Sequence, residues 1–158
     1  MTLAFRAATA ADLPLLNAWK AEPHAAAWWD DEPIDAEDLA EPGYRLWIVV
    51  LDGRPFAMLQ DYRIHDHPGH HLAMLPPGAL GIDLFIGPPD LIGHGHGHRL
   101  LRAYCEAQFA ESIPAIGTDP HPDNARAIAA FTRVGFAVIG EPIDTPWGRS
   151  LPMGLVAP

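Results

Sequence analysis

The stretch Leu91-Ile92-Gly93-His94-Gly95-His96-Gly97-His98, which we call the glycine loop, decides the fold of this chain. Its three glycines alternate with histidines, and a helical apolar pattern follows directly. Glycines allow a tight turn and a close approach of the backbone to a ligand. The first N–H groups of the following helix have no intrahelical acceptor and carry the positive end of its dipole. This arrangement is typical of a phosphate or pyrophosphate site, although short glycine motifs also occur in loops that bind nothing.

A central strand is predicted just before the glycine loop. The segment from Ala79 to Gly87 is apolar nearly throughout, which indicates a strand covered on both faces. Asp83 interrupts it, and a carboxylate there is costly unless it is paired, hydrogen-bonded or functional. After the loop we expect a helix from His96 to Ala110 and a short strand from Pro114 to Thr118. Asp119 then places a second carboxylate at a strand end.

The remaining patterns complete a mixed α/β architecture. Asp52-Gly53 predicts a hairpin between two strands, and Gly135 is typical of a helix end. The order of elements indicates one domain over residues 1–158, with a central mixed sheet of about seven strands flanked by about four helices. The other predicted elements are strands at 3–6, 44–51, 54–63, 136–139 and 150–156, and helical segments at 9–19, 24–27, 35–41 and 124–134.

The composition excludes several classes of protein. The chain has 158 residues, and its ten Lys and Arg against twenty Asp and Glu give a formal charge of −10. Such a chain repels nucleic acid and is better suited to cationic small molecules. Its one cysteine, Cys105, allows no internal disulfide, and we expect it to be a buried small hydrophobe. Without a signal peptide or a long apolar run, we expect a soluble cytoplasmic protein with no membrane contact.

Two further segments allow a structural or a ligand-binding interpretation. Trp28 and Trp29 are adjacent and cannot share one helix face, so at most one faces the core. Together with Asp30 they are also a candidate aromatic and acidic wall for a cationic or sugar-like ligand. The histidine segment, His65 to His71, has no spacing typical of a metal site. We predict no metal, and expect a lid or a loop beside the substrate.

Two motifs in this order resemble the GNAT acyltransferase family. The glycine loop corresponds to its Q/R-x-x-G-x-G/A motif, and Asn124 to Phe136 corresponds to its second signature, an Asn that opens a helix ending in Gly-Phe. The chain is also similar, from about Leu13 to Met153, to the aminoglycoside 6′-N-acetyltransferase branch. The matching motifs are Gly81-Ile82-Asp83, Thr118-Asp119-Pro120 with Asn124, and His24-x3-Trp28-Trp29.

The resemblance implies an acetyl-CoA-dependent N-acetyltransferase acting on a primary amine of a small cationic acceptor, in this branch an aminoglycoside. Asp83 would be the general base or would position the amine, and Asp119 would help to bind the acceptor; these are our two catalytic candidates. Trp28, Trp29 and Asp30 would join them at the acceptor. The residues implied for acetyl-CoA are Leu84, Phe85, Ile86, Ile92, Gly93, His94, Gly95, His96, Gly97, His98, Asn124 and Phe131.

Departures from the family pattern leave alternatives open. Ile92 replaces the Gln or Arg of the loop motif, and Phe131 replaces a tyrosine proposed as general acid in relatives. A siderophore precursor, a polyamine or a protein N-terminus is an alternative acceptor, and a CoA-binding module without turnover is an alternative function. The three loop histidines predict cofactor affinity that weakens from about pH 6 to 8. We expect a monomer or a homodimer.

Overall fold

The computed structural model describes all residues, Met1 to Pro158. It contains five α-helices, nine β-strands and three short 3-10 helices. The α-helices are α1 (Leu13–Lys20), α2 (Pro23–Ala26), α3 (Ala36–Ala40), α4 (His96–Ala110) and α5 (Ala125–Val134). The strands are β1 (Leu3–Ala7), β2 (Tyr44–Leu51), β3 (Arg54–Arg63), β4 (Leu80–Ile86), β5 (Ala115–Thr118), β6 (Ala137–Val138), β7 (Ile143–Thr145), β8 (Gly148–Ser150) and β9 (Met153–Val156).

Seven strands form one mixed sheet in the order β1-β2-β3-β4-β5-β9-β6. β1 is antiparallel to β2, β4 is parallel to β5, and β9 is antiparallel to both β5 and β6. The predicted mixed sheet of about seven strands is therefore confirmed, and β4 occupies its middle, as the apolar run from Ala79 to Gly87 indicated. Five α-helices are present where the sequence predicted about four.

The C-terminal strands differ from the prediction of one strand over 150–156. The chain instead forms β8, a break at Leu151 and Pro152, and then β9. Pro152 has no N–H to donate to a ladder, which explains the break. β7 and β8 pair separately as a hairpin, with Thr145 opposite Gly148 and only two residues between them. The strand predicted at 136–139 is also shorter, because only Ala137 and Val138 join the sheet.

The chain separates into two compact units. The first comprises Met1–Asp61 and Leu84–His96, and the second comprises Tyr62–Asp83 and Gly97–Pro158. The core of the first unit is a cluster of buried side chains from α1, α2 and the strands: Leu16, Trp19, Ala25, Leu46, Ile48, Met58 and Phe85. Buried side chains of the second unit include Leu72, Leu75, Ile82, Leu100, Leu101, Tyr104, Ile116, Phe131, Phe136 and Met153.

A row of glycines crosses three neighbouring strands of the second unit. Gly81 of β4 is paired with Gly117 of β5, which is paired with Gly154 of β9. A Cβ on Gly81 would overlap the ring of Tyr62. A Cβ on Gly117 or Gly154 would lie 2.7 or 2.9 Å from a methyl group of Leu75. The glycines thus leave the space into which side chains flanking the histidine segment pack.

Candidate active site

The glycine loop and the start of α4 have the predicted backbone. Gly93 and Gly95 have φ angles of +81° and +78°, in the left-handed region that favours glycine. A short 3-10 helix, Pro89–Leu91, precedes them, and α4 begins at His96. The first N–H groups of α4 lack intrahelical acceptors, as at any helix start. The loop therefore combines the tight turn and the helix terminus on which the phosphate-site hypothesis depends.

The three histidines of the glycine loop have different environments. His94 is exposed, whereas His96 and His98 are partly buried. The His96 ring lies edge-on to the buried ring of Phe56, with 6.0 Å between the centroids. His96 therefore has a packing role that the alternating pattern did not predict. That the loop histidines bind a phosphate stays a prediction, and the exposed His94 is the side chain best suited to it.

The ladder between β4 and β5 is short and ends at Gly81, two residues before Asp83. Its register pairs Leu80 with Ile116 and Gly81 with Gly117. One residue further, the buried hydroxyl of Thr118 donates a hydrogen bond to the Ile82 carbonyl, at 3.1 Å. Asp83 follows and is only partly buried. The carboxylate thus lies just beyond the regular pairing of β4 with β5. Its role as a general base or amine-positioning group stays a prediction.

Asp119, the second predicted carboxylate, is held by a histidine. His71 Nε2 donates to Asp119 Oδ2 at 2.5 Å, and the two side chains are 9% and 16% exposed. A carboxylate accepts hydrogen bonds only, so the proton lies on Nε2. Asp119 follows β5 directly, and His71 precedes the fully buried Leu72. Both partners are therefore attached to well-anchored backbone.

His70 extends this contact into an array of aromatic and polar groups. Its ring stacks on that of His71, with centroids 4.2 Å apart and 21° between the planes. Its Nδ1 accepts the Leu72 N–H at 3.1 Å, and its Nε2 lies 3.2 Å from the Tyr62 hydroxyl. Burial, followed by the proximity of His71, lowers the pKa of His70 to about 4. His70 is thus neutral near pH 7, with its proton on Nε2 facing Tyr62.

The structure separates the predicted aromatic and acidic wall. Trp28 is 44% exposed, whereas Trp29 is partly buried and packs edge-on to Phe85 with centroids 5.1 Å apart. This confirms that at most one of the adjacent tryptophans faces the core. Asp30 accepts a hydrogen bond from Lys20 Nζ at 2.7 Å, so its charge is already paired. Contact of these three residues with an acceptor stays a prediction, for which Trp28 is the most accessible.

Residues of the second family signature have clear structural roles. Asn124 Oδ1 accepts the Ala127 N–H at 3.2 Å and so caps α5. The contact of Asn124 with the cofactor or the acceptor stays a prediction. Phe131 is buried and packs on Phe136, with centroids 5.3 Å apart. Cys105 is buried, as predicted, and burial raises the pKa of its thiol to about 12.

Other polar contacts at or near these strands were not predicted. Asp61 is 1% exposed and accepts two hydrogen bonds from Arg45, at 2.7 and 2.8 Å. His24 Nε2 donates to the Ile86 carbonyl at 2.7 Å and so fixes the end of β4 to α2. Asp61 lies within a predicted strand, as Asp83 does, so the sequence could have indicated that its carboxylate is paired. The partners of His71 and His24 lie 48 and 62 positions away, which no local pattern encodes.

The structure also bears on metal binding and membrane insertion. No group of three or more His, Cys, Asp or Glu side chains is arranged to hold a metal ion. None of the helices is both long enough and apolar enough to cross a membrane.

Comparison with a family model establishes the family of this chain. The family model of the GNAT acetyltransferase domain matches residues 8–143. The chain belongs to the GNAT acetyltransferase family. The mixed sheet, the glycine loop before α4 and the Asn-capped α5 are the parts of the structure that correspond to the motifs identified in the sequence.

Individual relatives show which members of this family the chain resembles. The chain is 30% identical to the aminoglycoside N(6′)-acetyltransferase type 1 of Klebsiella pneumoniae, over 96% of this chain and 82% of that protein. It is similar to the crystal structure of the aminoglycoside acetyltransferase AAC(6′)-Ib with coenzyme A (TM-score 0.86, 29% identity, 98% and 95% coverage). A structure of AAC(6′)-Ib with ribostamycin and coenzyme A matches with a TM-score of 0.88, 28% identity, and 99% and 94% coverage.

Proposed function

We propose that this protein is an acetyl-CoA-dependent N-acetyltransferase that acetylates a primary amine of an aminoglycoside. The observation that carries the proposal is similarity along nearly the whole chain to an aminoglycoside N(6′)-acetyltransferase, at 30% identity over 96% of the residues. Solved relatives of the same fold contain coenzyme A together with kanamycin or ribostamycin. The formal charge of −10 supports a cationic acceptor.

For the cofactor we assign the backbone the main role. Amides of His94 to His98 hold the pyrophosphate, because the loop turns tightly and leads into a helix N-terminus. The backbone of Leu84 to Ile86 binds the pantetheine arm, with Asn124 and Phe131 as further contacts. Ile92 contributes only its backbone in this scheme, so a Gln or Arg side chain at that position is not required.

The chemistry is a direct transfer from the thioester. The acceptor ammonium first loses a proton, for which Asp83 is our first choice and Asp119 the second. The free amine attacks the thioester carbon, and a backbone N–H between Asp83 and Ile86 stabilises the oxyanion. The C–N bond forms, the nitrogen loses its second proton to solvent, the C–S bond breaks, and the coenzyme A thiolate leaves. Phe131 cannot donate a proton, so we assign protonation of this thiolate to solvent.

A CoA-binding protein without turnover is the competing function, and Phe131 is the observation that favours it. Its side chain is buried against Phe136 and carries no exchangeable proton. The two functions differ in one measurable quantity, because only the enzyme releases free thiol from acetyl-CoA when an amine is added.

The test is thiol release from acetyl-CoA with kanamycin, ribostamycin and spermidine as acceptors. We expect turnover with the first two and acetylation of the 6′-amine, located by NMR of the product. Asp83→Asn should lower kcat by about a hundredfold or more, whereas Asp144→Asn, which changes an exposed carboxylate on the β7–β8 hairpin, should not. Unchanged turnover in Asp83→Asn would show that the base is assigned wrongly. Coenzyme A binding without thiol release from any amine would favour the competing function.

A further inference from the structure

Asp119 differs from a simple solvent-exposed carboxylate because one of its oxygens is already engaged. Its Oδ2 accepts from His71 at 2.5 Å, and both side chains are largely buried. An imidazole N–H donates to a carboxylate in either protonation state, so this contact does not depend on a charged histidine. When the imidazole is neutral, the pair keeps the full negative charge of the carboxylate. One oxygen is thus fixed while the group stays anionic.

The backbone that carries His71 is anchored by the residues that follow it. Leu72, the next residue, is fully buried, and Leu75 is nearly so. Both fill the space above Gly117 that a Cβ would occupy. Gly117 lies in β5, one residue before Thr118 and two before Asp119. The same stretch of β5 therefore packs against the leucines that follow His71 and is continued by Asp119, to which His71 donates.

His70 reinforces the position of the His71 ring. It stacks on that ring and is itself held at both nitrogens, by the Leu72 N–H and the Tyr62 hydroxyl. Such support leaves His71 few alternative orientations. A carboxylate supported in this way is oriented before any ligand arrives, which reduces the entropy lost on binding.

We propose that His71 is a positioning residue of the acceptor site, which orients Asp119 so that its second oxygen, Oδ1, meets the ammonium group of the acceptor. This inference rests on the proposed function and deepens it. It assigns to the histidine segment a role in acceptor recognition through one side-chain pair, with no metal and no contact between His71 and the reacting atoms.

The proposal predicts a particular division between kcat and KM. His71→Phe keeps a flat ring for the stack on His70 but removes the donor, and should raise the KM for kanamycin about tenfold, the factor that corresponds to one charge-assisted hydrogen bond. The KM for acetyl-CoA should stay within about twofold of wild type, since the lost contact does not involve the cofactor. His71→Gln retains an N–H donor on a side chain of similar reach and should recover part of the loss.

A double-mutant cycle separates positioning from a merely structural role. If His71 acts through Asp119, the combination His71→Phe with Asp119→Asn should be no worse in kanamycin KM than Asp119→Asn alone. His65→Gln is the matched control, because His65 lies in the same segment but is exposed, and its Nε2 donates to the Ala73 carbonyl, at 3.2 Å, and not to Asp119. It should leave both KM values unchanged.

The outcomes distinguish this inference from the function on which it rests. Kanamycin acetylation by wild type with an unchanged kanamycin KM in His71→Phe would overturn the inference and leave the function standing. So would additive losses in the double variant, or a His71→Gln variant no better than His71→Phe. Absence of acetylation by the wild-type protein would overturn both.

Discussion

The glycine loop and the histidine segment are both rich in histidine, yet they are built in opposite ways. The shape of the glycine loop is set by its backbone, because Gly93 and Gly95 have positive φ angles, whereas the side chain of His94 is exposed. The histidine segment is instead held by side chains, because Leu72 and Leu75, which follow it, are buried and His71 binds Asp119. The difference teaches that similar composition can serve a loop suited to binding phosphate with amides and a segment that orients a carboxylate.

The largest expected effect concerns the anchoring of the histidine segment. Gly81→Ala places a methyl group where the Tyr62 ring lies, and should lower the free energy of unfolding by about 3 kcal/mol. Gly69→Ala is the control in the same segment: its φ is +75° and no atom lies within 4 Å, so only backbone strain of about 1 kcal/mol is expected. Urea denaturation measures both. Equal losses of unfolding free energy in the two variants would mean that overlap with the Tyr62 ring does not destabilise Gly81→Ala.

The second prediction compares backbone and side chain within the glycine loop. Gly95→Ala disfavours the φ of +78° and should raise the dissociation constant of coenzyme A about tenfold by displacing the loop amides. His94→Ala, which removes an exposed side chain from the adjacent position, should raise it only about twofold. Isothermal titration calorimetry with coenzyme A gives both values. If His94→Ala raised the dissociation constant more than Gly95→Ala, the side chain and not the backbone would be the main contact of this loop with coenzyme A.

The third prediction concerns His70 and the pH dependence of stability. The pKa of His70 is about 4 in the folded protein and near 6.5 in an unfolded chain. The unfolded state therefore binds a proton more readily, so stability should fall as pH drops from about 6.5 to 4. Because the ring is only partly buried, we expect this loss to be about 1 kcal/mol. His70→Asn should flatten the pH dependence in that window, measured by urea denaturation; the same slope in both proteins would contradict the assignment.

The smallest expected effect is the pH dependence of cofactor binding. A phosphate favours the protonated form of a nearby imidazole, so deprotonation as pH rises from about 6 to 8 should weaken coenzyme A binding. An exposed interaction of this kind corresponds to about a two- to threefold change. His94→Ala should remove most of it if His94 is the phosphate contact. A dissociation constant that does not vary over this range in wild type would exclude a role for the loop histidines.

Local patterns were sufficient for most of the fold. The bounds of β2, β3 and α4 agree with those predicted, because the Asp52-Gly53 turn and the helical apolar pattern are both encoded within a few residues. The break of the last strand at Pro152 was also encoded locally, since proline cannot donate to a ladder.

The side-chain pairs of the candidate site were far less predictable. Asp83 and Asp119 stood out because acids within or directly after buried strands need an explanation. Their surroundings depend on long-range contacts: His71 reaches Asp119 from 48 positions away, and strand register aligns Gly81, Gly117 and Gly154. A glycine in a strand indicates a close approach, but no local rule says which side chain fills the space.

The row of glycines also bears on how the chain folds. Leu75 packs above Gly117 and Gly154, which lie in β5 and β9, far from Leu75 along the chain. Long-range pairing of this kind forms late, because distant parts of the chain must first meet. The residues that follow the histidine segment therefore lack their complete packing partners until β9 has joined the sheet. Until then Leu72 and Leu75 are available to chaperones and proteases, so the proposed acceptor side of the site should be among the last parts of the protein to mature.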